Sequence, residues 1–199
     1  MRILGAAEPR MLGYADHHIP SSAPGQLRWC DVPLEEAIEQ TVAHIRAWKP
    51  DIMLTHDAYG SSGRPDHVRA HRVALLAAHA AGLDDLYPAA GPAWQPRALY
   101  VAVYPRTGAS GLAQLVAGVG KRLHLVPDEL VSAAVDVRPW VATKWEAIKA
   151  HASEAARPRS LPGMLAGLDD EERSRLLSTE WYVRYNLGPA GSGQQELTA

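Results

Sequence analysis

A chain of 199 residues, 47% hydrophobic and 21% charged, is long enough for one domain with a real core and too apolar for general disorder. Its net charge of −2, with cationic residues scattered rather than clustered, gives no basic field for nucleic acid or anionic lipid. The single cysteine, Cys30, excludes an intrachain disulfide and a metal cage built of cysteines. With no signal-peptide core and no apolar run of membrane-spanning length, the expectation is a soluble, cytoplasmic protein with neither nucleic acid nor membrane as partner.

Residues 1–9 read as the tail of a helix ending at Gly5, and Arg10 to Tyr14 as a short strand. Asp16 to Cys30, with a His17-His18 pair and no periodicity, reads as a surface loop. Asp31 stands where a helix N-cap is needed, Pro33, Glu35 and Glu36 suit the first turn, and Leu34, Ile38, Val42, Ile45 and Trp48 recur at helical spacing up to Pro50. Asp51 to Thr55 is a short apolar run that suits a strand buried on both faces. After a polar loop, Pro65 and Asp66 open a helix whose stripe is Val68, His71, Leu75 and Ala78 and which Gly82 ends.

Leu99 to Tyr104 is a second buried-type strand, followed by a Gly-rich stretch, Arg106 to Gly120, that suits a mobile lid or a short helix. Val131 to Val137 reads as a strand, Trp140 to Ser153 and Glu171 to Leu177 as helices, and Thr179 to Tyr185 as a last strand. The polar tail, Gly188 to Ala199, is expected to be disordered. Strands alternating with helices predict an α/β fold over residues 1–187, a Rossmann-like, doubly wound, mostly parallel sheet with helices on both faces.

Chemistry concentrates in Thr55 to His71, which carries His56, Asp57, Asp66, His67 and His71 between a strand and a helix. Such loops leave the carboxyl ends of strands, where ligands bind in open α/β sheets. His67 and His71 share a helix face and can share a metal ion, but His71 sits on the apolar stripe and reads as a hydrogen-bonded core residue. His67, in the first turn beside the loop, is the better ligand. Asp57 suits either a ligand contact or a turn that caps loop amides. Gly60-Ser-Ser-Gly63 resembles a phosphate cradle yet lacks the Gly-Lys-Ser/Thr ending, which leaves nucleotide binding as a minority reading.

The run from Lys49 to Arg72 resembles the second signature of the LmbE-like, or PIG-L, family of zinc-dependent N-deacetylases: an apolar strand, a Gly-rich loop, then Arg64-Pro-Asp-His67 and a further histidine. Leu12 to Asp16, Lys144 with Ala147 to Ser153, and Thr179 to Arg184 resemble further family segments in the right order. The resemblance implies hydrolysis of a carbon–nitrogen bond, the deacetylation of an N-acetylglucosamine-type conjugate, with one zinc ion held by two histidines and an aspartate. It places His67 as metal ligand and Asp66 as a carboxylate that orients imidazole or water; Asp57, Ser62 and His151 are the candidate contacts to the small-molecule acetamido sugar. His151 with Lys144 also reads as an ordinary helix-surface pair.

Two departures stand out. Arg64 occupies the place of the family's first loop histidine, where it can stabilise negative charge but cannot exchange a proton near neutrality. The family's first signature, Ala-His-Pro-Asp-Asp-Glu, which supplies the other ligands and the general base, has no counterpart. The expectation is therefore an N-terminally truncated fold with an exposed apolar sheet edge, weak zinc affinity and no activity of its own; the alternative is a catalytically dead module that binds a sugar or a partner on the same scaffold.

Overall fold

The computed structural model describes residues 2–188. The order is α1 (Leu34–Trp48), β1 (Ile52–His56), α2 (Gly60–Gly63), α3 (Pro65–Ala80), β2 (Ala98–Val103), α4 (Ser110–Ala117), β3 (Ala133–Asp136), α5 (Val141–Lys149), α6 (Ala152–Ala155), α7 (Leu161–Ala166), α8 (Asp170–Leu177) and β4 (Thr179–Asn186). The hydrogen-bonded strand order is β1-β2-β4-β3. β1 and β2 run parallel with Ile52 opposite Ala98, whereas β3 and β4 run antiparallel with Ala133 opposite Tyr182. The fold is thus α/β with a mixed four-stranded sheet. No described helix is long and apolar enough to cross a membrane.

The chain divides into two compact units. One holds residues 12–102 and 183–188, and its core forms where α1 meets α3. Ala37, Ile38, Val42 and Ile45 of α1 interlock with Val73, Ala77 and Ala80 of α3, with Met53, Trp29 and Trp94 packed around them. Small alanines let the two helices approach closely, and burying these side chains contributes about 1 to 3 kcal/mol for each larger aliphatic. Arg46 is buried among them at 3% exposure. Its guanidinium donates to the carbonyls of Ala80, Ala81, Leu83, Leu86, Tyr87 and Gly91, tying the loop after α3 to α1.

The other unit holds residues 1–11 and 103–182. Val103, Leu112, Val116, Val126, Met164, Leu165 and Leu177 are buried there. Ser160 caps α7 by accepting from the Gly163 amide at 3.0 Å, and Asp169 caps α8 by accepting from Glu172 at 2.8 Å. Lys144 of α5 pairs with Glu180 of β4 at 2.7 Å.

Several expectations need correction. Arg10 to Tyr14 forms no strand; the neighbouring Ala15 makes an isolated bridge to Arg28, and the Tyr14 side chain is held by Glu36 and Trp29. Asp31 does not cap α1: Pro33 occupies the cap position with no side-chain bond, and Asp31 pairs with Arg28 instead. β1 is not buried on both faces. It stands at the sheet edge with Ile52 49% and Leu54 64% exposed, because alternation turns them away from the side that α3 covers. The single helix expected over Trp140 to Ser153 is broken at Ala150 and His151 into α5 and α6, and Arg106 to Gly120 contains the helix α4. The disorder expected of the tail concerns residues that, apart from Gly188, lie outside those described.

Candidate functional site

The loop after β1 is shaped by Asp57, a residue 4% exposed. Its Oδ1 accepts the amides of Tyr59 at 3.1 Å and Ser61 at 2.7 Å, and its carbonyl accepts Gly60 N–H at 2.9 Å. The turn α2 then closes with Gly63 N–H donating to Tyr59 O at 2.8 Å. These amides are spent within the loop, so they form no cradle for a phosphate. Asp57 Oδ2 is buried without a hydrogen-bond partner among the described residues.

Pro65 at the first position of α3 pre-sets the helical φ, and Arg64 is its cap residue, exposed, with its carbonyl accepting Val68 N–H at 3.0 Å. Successive helix residues project about 100° apart, so Asp66 and His67 diverge. His67 turns back over the loop: its Nδ1 lies 3.2 Å from Gly60 O and its ring stacks on His56 with centroids 4.2 Å apart and planes 6° from parallel. With Nδ1–H donating to that carbonyl, Nε2 carries the lone pair. Burial first, then the neighbouring His67 imidazole, holds His56 below the usual imidazole value. His71 is buried with Nδ1 2.8 Å from His56 O, the core histidine that the stripe predicts. Ser62 is exposed on the loop.

Asp66 faces the other way. Its Oδ2 accepts His17 N–H at 3.0 Å and its Oδ1 accepts the Cys30 thiol at 3.0 Å. Burial opposes ionisation of Asp66, but the Cys30 and His17 bonds outweigh it and keep the carboxyl below its ordinary value. Burial and the Asp66 carboxylate push the Cys30 thiol up to about 12. His17, Cys30 and Asp66 each offer one ligand atom, all within 4.8 Å of one another. His17 and Cys30 escape the sequence reading because they lie 49 and 36 residues from Asp66 in a loop without periodicity; the adjacent histidines are the only local signal. Beside Cys30 opens a cleft of about 410 Å³ lined also by Leu34, Gly63, Pro65, Arg69 and Arg72. His151 is exposed at the N-cap of α6 and belongs to the other unit, where it borders a cleft of about 430 Å³ with Lys144 and Glu180.

The chain is similar to known proteins along its whole length. Residues 1–78 match the family model PIG-L: GlcNAc-PI de-N-acetylase. A 1D-myo-inositol 2-acetamido-2-deoxy-alpha-D-glucopyranoside deacetylase of Geodermatophilus obscurus is 32% identical, in an alignment covering 100% of this chain and 73% of the relative. The enzyme of the same name from Rhodococcus erythropolis is 31% identical over 97% of this chain and 70% of the relative. A conserved protein of Thermus thermophilus shares the fold, with a TM-score of 0.57 at 20% identity over 100% of this chain and 73% of that one.

Proposed function

The chain belongs to the PIG-L, or LmbE-like, family of N-deacetylases, and from that membership we propose that it serves the metal-dependent hydrolysis of the acetamido group of an N-acetylglucosamine conjugate, most closely the inositol glycoside on which its relatives act. The observation that carries this reading is His67. Its Nδ1 is engaged by a backbone carbonyl, the arrangement that orients a metal-binding imidazole and leaves Nε2 to the ion. His67 would hold zinc. Bound zinc supplies polarisation of the amide carbonyl and brings the pKa of a bound water towards 7.

The chain's own residues do the rest. Asp66 would orient water or an imidazole by hydrogen bonds, although its oxygens accept here from His17 N–H and the Cys30 thiol, on the side away from His67. Arg64, exposed at the start of α3, offers fixed positive charge to the developing oxyanion and no proton. Ser62, exposed on the loop, would accept from and donate to sugar hydroxyls, and Asp57, its Oδ2 buried, would serve the sugar site by holding that loop. The assignment of His151 as a sugar contact rests on the resemblance of Ala147 to Ser153 alone. Residues 1–187 would form one domain of the family's doubly wound, Rossmann-like type, of which parallel β1 and β2 are a part.

One observation favours a second reading: among the described residues, no group of three potential metal ligands includes His67. On that reading the scaffold binds the sugar without hydrolysing it. Incubation with the inositol glycoside and zinc, measuring acetate release and sugar binding together, separates the two. Release that stops on chelation and returns with zinc supports the deacetylase; saturable binding with no release supports the binding module.

A further inference from the structure

We propose that His17, Cys30 and Asp66 form a metal site of mixed nitrogen, sulfur and oxygen donors, suited to a borderline divalent cation such as zinc and separate from His67. Three chain segments are brought together to make it. The backbone before His17 is fixed by Ala15, whose N–H donates to Leu27 O at 2.9 Å and whose carbonyl accepts Trp29 N–H at 2.8 Å. Cys30 sits in the single-turn helix Trp29–Asp31, and Asp66 in the first turn of α3. The Trp29 indole N–H donates to Asp66 O at 3.3 Å, which locks the second segment to the third.

Within this frame the three ligand atoms lie within 4.8 Å of one another. Donors around a tetrahedral zinc stand about 3.3 to 3.8 Å apart, so small side-chain rotations close the shell. The second indication is an orphan. His17 Nδ1 is buried without a hydrogen-bond partner among the described residues, and leaving such a group unsatisfied costs about 1 to 3 kcal/mol. A cation bound through that nitrogen would satisfy it.

The charge balance also suits a divalent ion. With Cys30 ligating as a thiolate, its proton released to solvent, and Asp66 as a carboxylate, two negative charges and a neutral imidazole meet two positive ones. A thiolate beside an imidazole selects zinc or cobalt over magnesium and calcium, which favour oxygen donors. The cleft beside Cys30, with Arg69 and Arg72 on its wall, leaves the remaining coordination position accessible to water or to an anionic ligand.

The test is titration of the full chain with cobalt(II), read as thiolate-to-cobalt charge-transfer absorption, followed by displacement with zinc. The expected result is a band that saturates at one equivalent and disappears with zinc. Cys30→Ser abolishes it, His17→Ala weakens cobalt binding at least tenfold, and His67→Ala leaves the band in place, each variant keeping the wild-type far-ultraviolet circular dichroism. Absence of the band in the wild-type chain, its persistence in Cys30→Ser, or its loss in a folded His67→Ala variant would each overturn the assignment. Acetate release is not needed for any arm, so failure here and failure of the deacetylase reading are told apart.

Discussion

His67 and Gly60 are coupled twice: the histidine's Nδ1 is held by the glycine's carbonyl at 3.2 Å, and a Cβ on that glycine would stand 2.6 Å from His67 Cβ and 2.7 Å from Val68 N. The proposed metal ligand is therefore placed by a residue that has no side chain.

Gly60→Ala tests this placement. Gly60 has φ +63°, where any side chain costs about 1 to 2 kcal/mol, and the new methyl group also strikes the helix start. Denaturant unfolding should show a loss of about 2 to 4 kcal/mol, with zinc-dependent acetate release falling further than the fraction unfolded explains. Wild-type stability and activity would show that the loop does not position His67.

Arg46 carries a charge into the core with no carboxylate partner among the described residues, its donors spread over six carbonyls. Arg46→Met leaves those carbonyls short of donors and should cost about 3 kcal/mol or more in urea unfolding. Arg46→Lys should recover only part of this, since an ammonium has three donors and no fork.

Much of this was readable in advance, and the failures have physical causes. α1 and α3 followed from Ile38, Val42, Ile45 and from Pro65, because local spacing and a preset φ decide them. Arg46 lies four residues after Val42, on the same stripe, and its position signalled burial that its charge argued against. Asp31 had the right chemistry for a cap but was diverted by Arg28, three residues earlier. The family resemblance pointed to Asp66 and His67, but their opposite orientations come from helix geometry that a linear motif does not display. His17 and Cys30 reach Asp66 only through tertiary packing, which no local pattern encodes.

In the other unit, Lys144 and Tyr182 set the charge of Glu180. Burial raises its pKa, while the bonds from Lys144 at 2.7 Å and from Tyr182 at 2.6 Å lower it by more, so its folded value lies below the unfolded one. The stability from this group is present above the unfolded pKa and is lost as pH falls through the folded value. Lys144→Met should cost about 1 kcal/mol near neutrality, the pair being partly exposed, and the gap from wild type should close in acid. A pH-independent gap in thermal unfolding would contradict the linkage.

Acetate release from the inositol glycoside in the presence of zinc, compared between the wild-type chain and His67→Ala, decides whether His67 takes part in the chemistry. Any zinc-dependent release by the wild-type chain should fall at least a hundredfold in a folded His67→Ala variant, since removing a ligand costs at least as much as the 10- to 100-fold seen for residues that merely support one. Equal release by the two chains would remove His67 from the chemistry, and no release from either would leave the family scaffold as a sugar-binding module.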